Sequence, residues 1–168
     1  MVEDSFEDER FLRELLEEAA ETRVWRPWRA WAPEFAGTAA EACDLAIDGG
    51  YDAILLNLSL PDSRVLHETF IAVSTVAPRT PILVMADESD DSLEAMLLRE
   101  GAQDFLVKAS LDAEPLARSL KRAIERQRFV NTMCPSDTPP QAAALPETDI
   151  SDNLPLELVG IADVSIDG

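Results

Sequence analysis

Apolar residues recur along this chain with two different periods. Phe11, Leu12, Leu15, Leu16 and Ala19 fall three and four apart, which predicts an amphipathic helix with Asp4 or Ser5 as its N-cap. Ala39 to Ile47 predicts a second, shorter helix, ended by the pair Gly49-Gly50. The run Ala53-Ile-Leu-Leu-Asn-Leu58 is almost continuously apolar and uncharged, as in a strand covered on both faces of a parallel sheet. Helical spacing returns at Leu66, Phe70, Val73 and Val76 and stops before Pro78; Pro81 to Ala86 is again a buried strand. Leu93, Met96 and Leu97 mark a fourth helix closed by Gly101, Phe105 to Val107 a short strand, and Leu116, Leu120, Ala123, Ile124 and Gln127 a fifth helix.

Strands alternating with helices imply βαβ units with right-handed crossovers, hence a doubly wound α/β domain whose parallel sheet is covered on both faces. Ligand and reaction sites of such sheets lie beyond the C-terminal ends of the strands. The chemistry is therefore expected at Glu3-Asp4, Asn57 to Ser63, Ala86 to Ser89 and Lys108 to Ser110. After Phe129 the periodicity stops. Residues 131–152 hold four of the eleven prolines, so residues 1–130 read as one domain and 131–168 as a Pro-rich acidic tail, mostly disordered.

The charge narrows the function. Of the net −19, the first 130 residues carry −12 and the tail, with seven acids and no Lys or Arg, carries −7. Phosphate backbones reward basic surfaces, so nucleic acid is not an expected partner. No run of eighteen apolar residues exists and the start is acidic, so neither a membrane span nor a secretory leader is expected, and the chain reads as cytoplasmic. Cys43 and Cys134 are too few for a disulfide framework and are not spaced for a metal.

Three segments at the predicted strand ends carry a resemblance. Val2-Glu3-Asp4-Ser5, Leu55-Leu-Asn-Leu-Ser-Leu-Pro-Asp-Ser63 and Gly101-Ala-Gln-Asp-Phe-Leu-Val-Lys108 are similar, in order and separation, to receiver domains of two-component response regulators. The likeness spans roughly Met1 to Arg128. It implies a flavodoxin-like five-stranded parallel sheet of order 2-1-3-4-5. In that family a strand-end aspartate takes a phosphoryl group from a histidine kinase, an acidic pair holds Mg²⁺, and a lysine neutralises the transferred charge. By this resemblance Glu3 and Asp4 match the acidic pair, Lys108 the lysine and Phe105 the aromatic switch residue.

Two positions depart from the family. Asn57 stands at the phosphoacceptor, where an amide cannot form an acyl phosphate, and Ala86 stands where the family has Ser or Thr. Val65 and Ala109 replace a customary glycine and proline. Loss of attacker and reader together points to a pseudo-receiver that is not an enzyme, with no cofactor or only weakly bound Mg²⁺. Its expected partners are proteins: a histidine kinase, an output protein or a second copy. The alternatives are phosphorylation on another acid, such as Asp62 or Asp87, and a scaffold using Trp25, Trp28 and Trp31, which alternate with Arg23, Arg26 and Arg29. Arg118, Lys121, Arg122, Arg126 and Arg128 give the fifth helix a cationic face suited to a partner, or simply to solvent. His67, the sole histidine, carries little functional weight.

One element of this scheme is nearly missing. Only Met1 and Val2 precede Glu3, where a strand in the middle of the sheet needs about five residues. A shortened start is the preferred account. The alternative is that Leu156-Glu-Leu-Val-Gly-Ile161 supplies a strand, in cis or in trans to a neighbouring sheet, with residues 131–155 as tether.

Overall fold

The structure is a computed structural model that describes residues 4–23, 32–36, 38–58, 63–133 and 157–162. Five helices and five strands follow one another as α1 (Asp4–Glu21), β1 (Ala32–Ala36), α2 (Ala39–Asp48), β2 (Tyr51–Leu58), α3 (Ser63–Val76), β3 (Ile82–Ala86), α4 (Asp91–Arg99), β4 (Asp104–Val107), α5 (Ala113–Met133) and β5 (Glu157–Ala162). β2, β3 and β4 are parallel neighbours, with Leu55 aligned to Leu83 and Val84 to Phe105. None of the described helices is long and apolar enough to cross a membrane.

The continuous apolar runs of β2 and β3 divide by the two-residue period of a strand. Ile54, Leu56, Ile82, Val84, Ala86 and Phe105 join one buried cluster with residues of α2, α3 and α4, including Ala42, Phe70, Val73 and Leu97. Ala53, Leu55, Leu83, Met85 and Leu106 join the other, with Leu12, Leu15 and Leu16 of α1 and Leu116, Leu120 and Ile124 of α5. The result is a three-layer α/β/α domain. Each fully buried Leu or Ile contributes roughly 1.5–3 kcal/mol of transfer free energy. Both faces of the sheet are thus needed to offset the ordering of the chain.

Local signals set the helix ends. The Thr38 hydroxyl accepts from the Glu41 N–H at 3.2 Å to start α2, and Asp90 accepts from the Ser92 and Leu93 N–H groups at 2.9 and 3.0 Å to start α4. Past α4, Gly101 turns at φ +110°, a left-handed conformation that only glycine adopts without strain, and the Ala102 N–H closes on the Leu97 carbonyl at 3.0 Å. The Arg13 guanidinium stacks 4.1 Å above the Phe35 ring, fastening α1 to β1.

The sheet differs from the expected all-parallel form. Its order is β1-β5-β2-β3-β4, and the segment between β1 and β2 is β5, from within the tail, running antiparallel to both. Leu158, Val159 and Ile161 explain this local choice, since a short apolar stretch with β-branched residues has strand propensity wherever two unpaired strand edges await it. β5 lies within residues 131–168, and α5 continues to Met133. β1 itself was not read from the sequence. Pro33 lies within it, which a strand tolerates only at a sheet edge, and β1 is the edge strand.

Candidate functional site at the strand ends

β2, β3 and β4 end together, and their last residues bring Asn57, Ala86 and Lys108 to one rim of the sheet. Asn57 is 3% exposed and aligned with Met85. It follows Ala53 and Leu55 by steps of two and so belongs to the α1/α5 side of the sheet. Ala86, aligned with Leu58 and Val107, is buried in the cluster of the opposite side. Its methyl offers no hydrogen bond to any ligand at this rim.

Lys108 opens a short 3₁₀ turn directly after β4. Its stem is enclosed, with only 9% of the side chain exposed, and its ammonium lies 2.9 Å from the Asp87 carboxylate at the end of β3. Asp87 is mostly in water. The sequence reading named Asp87 only as an alternative acceptor and matched Glu3 and Asp4 to the acidic pair. Glu3 lies outside the described residues, and Asp4 is the first residue of α1, of whose side chain nothing is described. Asp87 is one residue past Ala86, a proximity the sequence did contain.

A second acid reaches this rim through the tail. In the register of β2 with β5, Asn57 is paired with Glu157. An antiparallel tail strand brings its first residue to the end of β2 where a parallel strand would bring its last. That direction is what sequence reasoning lacked.

For Mg²⁺, the described residues of this rim do not supply a ligand set. The central donor is the neutral amide of Asn57, and Asp87 is engaged with an ammonium. No group of three or more His, Cys, Asp or Glu side chains is assembled for a metal among the described residues.

Phe105 is about nine-tenths buried among Val84, Ala86, Leu97 and Ala102, and its N–H donates to the Asp104 carboxylate at 3.1 Å. The other oxygen of Asp104 accepts from the buried Ser119 hydroxyl at 2.6 Å, which accounts for a polar residue within the apolar stripe of α5. The cations of α5 are largely engaged within the molecule. Arg118 pairs with Glu114, and the Arg122 Nε donates to the Arg118 carbonyl at 3.3 Å. Lys121 lies 3.9 Å from Glu125, and Arg126 donates to Gln103 at 3.2 Å. Arg128 holds Asp52 at the start of β2 at 2.7 Å. The exposed apolar side chains Phe129, Val130 and Met133 follow on the same helix.

Other candidates fall elsewhere. His67 lies in α3, and its Nε2 is buried with no hydrogen-bond partner among the described residues. Cys43 is a buried free thiol of α2, pushed above its ordinary pKa by burial and then by neighbouring Asp44. Asp62, Val65 and the segment Trp25 to Trp31 are not described or carry no described side chain. A polar cleft of about 270 Å³, lined by Ser74, Thr80, Glu100, Gln103 and Gln127, opens at the opposite end of the strands and is not part of this rim.

No protein-family model matches the sequence, and no curated protein matches it. Solved structures do. A CpaE2 pilus assembly protein from Sinorhizobium meliloti 1021 superposes with a TM-score of 0.55 at 24% identity, over 68% of this chain and 92% of that one. The pilus assembly protein CpaE from Caulobacter crescentus CB15 gives 0.53 at 20% identity, over 66% and 89%. These neighbours have a receiver-like fold, and at this identity the likeness concerns the fold alone.

Proposed function

We propose that this chain is a receiver-fold signalling protein of the two-component type that does not accept a phosphoryl group, turns over no substrate, and acts in the cytoplasm through protein contacts. The observation that carries this reading is the ion pair between Lys108 and Asp87 beside a buried Asn57. In a working receiver the lysine meets charge on a newly transferred phosphoryl group. Here its ammonium already meets a carboxylate of its own chain. The acceptor position is an amide, and position 86 lacks the hydroxyl that would follow the phosphoryl oxygen.

The site on this reading holds one state permanently. On this reading β5, antiparallel to its neighbours, takes the place that the first strand has in the receiver order 2-1-3-4-5. Output goes through surfaces such as the cationic face of α5, toward a kinase, an output protein or a second copy. Because the structural neighbours are pilus assembly proteins, a component of such an assembly is a suitable first bait. A competing reading keeps phosphorylation and moves it to Asp87, but engagement of that carboxylate by Lys108 lowers its availability as a nucleophile.

The test is intact-protein mass spectrometry after incubation with acetyl phosphate and Mg²⁺. The expected result is an unchanged mass. A gain of one phosphoryl group on Asp62, Asp87 or any other acid overturns the proposal.

A further inference from the structure

β5, an interior strand of the sheet, is separated from α5 by residues 134–156. β5 lies between β1 and β2, antiparallel to both, with Ala32 to Ala36 registered against Ala162 to Leu158 on one side and Tyr51 to Asn57 against Ala162 to Glu157 on the other. The order of the sequence makes it the last strand added. Residues 134–156 separate Met133, the end of α5, from Glu157.

Three features make this strand exchangeable. First, among the described strands β1 is hydrogen-bonded to β5 alone, so the slot between β1 and β2 requires an occupant to satisfy its backbone groups. Second, Gly160 sits in the interior of β5, opposite Glu34 and Ile54, and a glycine there weakens the strand. Third, the intervening chain spans up to roughly 75 Å when extended, against a domain roughly 40 Å across, so a strand released from its own slot reaches that of a neighbour.

We propose that the β1–β2 slot is a strand-acceptor site and that its partner is the Glu157–Ala162 segment of a second copy of this chain, so that two molecules trade β5 and form a swapped dimer. A second copy fits because the same six residues, in the same register, satisfy the same backbone groups, and no new complementarity is needed. The tether holds its own strand at an effective concentration in the millimolar range, so closed monomers dominate in dilute solution and the dimer grows with concentration. Each copy carries −19, so added salt, by screening repulsion, favours the dimer. The proposal does not depend on the phosphorylation state of the rim.

The test uses full-length chains with Cys43→Ser and Cys134→Ser, and cysteines placed at the registered pairs Ala32/Ala162 and, separately, Ala36/Leu158. The double variants A32C/A162C and A36C/L158C are expected to close a disulfide within one chain at micromolar concentration. A chain carrying only A32C, mixed at high concentration with one carrying only A162C, is expected to give a covalent dimer. V159P, which removes a ladder donor, is expected to abolish the concentration-dependent dimer seen in sedimentation. Closure of a double variant without any covalent dimer from the mixture, even after joint unfolding and refolding, overturns the proposal. So does failure of both double variants to close, because β5 then does not occupy the slot.

Discussion

The Lys108 ammonium and the Asp87 carboxylate, 2.9 Å apart, join the ends of β4 and β3 at the rim where Asn57 is buried. The two partners are unequal. The lysine stem is enclosed and the aspartate stands mostly in water. Removing the exposed partner therefore costs more than removing the enclosed one, because it leaves a cation with less compensation in a site that water enters poorly. Asp87→Ala is expected to lower stability by about 1–2 kcal/mol and Lys108→Met by less than about 1 kcal/mol, measured by urea unfolding. Equal losses, or a larger loss for Lys108→Met, would show that the stem and not the charge pair matters.

Asn57→Asp places a carboxylate at a position 3% exposed, aligned with Met85. Burial disfavours the charged form, so the new carboxyl is expected to titrate above its unfolded value. The sign follows from linkage. The penalty is full above the raised folded-state pKa and fades as pH falls through it, since both states then bind the proton. The difference in melting temperature between wild type and Asn57→Asp is expected to be largest near pH 7 and to shrink toward pH 4. A pH-independent difference would mean that Asn57 acts through shape and hydrogen bonding alone.

Ser119 is the buried polar residue in the stripe by which α5 meets the sheet, and its hydroxyl donates to Asp104 at 2.6 Å. Ser119→Ala is expected to cost about 1–2 kcal/mol, since the Asp104 oxygen loses its donor in a partly buried setting. A thermal or chemical melt identical to wild type would show that water replaces the hydroxyl without loss.

Which parts of this molecule were legible in its sequence follows from where the decisive contacts lie. The helices and the strands β2, β3 and β4 were, because continuous apolar runs and helical spacing record burial directly, and Ile54/Leu55 fall on opposite faces as the strand period requires. The grouping of Asn57, Ala86 and Lys108 was legible for the same reason, since parallel strands bring their C-terminal ends to one rim. β1 was not, because a five-residue edge strand containing Pro33 and Glu34 has no clear period. The partner of Lys108 was not, because an exposed Asp87 is one of many surface acids until the strand ends are placed. Nor was Glu157 beside Asn57, since that pairing depends on the direction in which a distant segment enters the sheet.

For α5, Arg118→Glu with Arg122→Glu is expected to reduce binding to an acidic protein partner at least about tenfold, with the effect fading as salt is raised. Stability is expected to change by less than about 0.5 kcal/mol, because both side chains are exposed and Arg118 pairs with Glu114 one turn away. Unchanged pull-down and sedimentation after this double reversal would remove α5 as the output surface.

Deleting residues 154–168 tests whether the tail belongs to the sheet. Without β5, β1 loses its one neighbour among the described strands, and β2 loses the pairing of Tyr51 to Asn57 on one side. Water restores some of those hydrogen bonds at the edge β1. On β2 it must enter between the layers, where Ala53, Ile54, Leu55 and Leu56 have no exposure in the intact protein. Each backbone group left without a partner there costs about 1–3 kcal/mol, and the α1–β1 contact of Arg13 with Phe35 loses its anchor as well. A loss of roughly 3–6 kcal/mol is expected, which at about 2–4 °C per kcal/mol for a chain of this size lowers the melting temperature by about 6–24 °C. Adding the deleted segment back as a free peptide is expected to recover part of the loss in proportion to its concentration, as for any ligand that binds only the folded state. An unchanged melting temperature after the deletion would place the tail outside the sheet and leave β1 held by α1 and α2 alone.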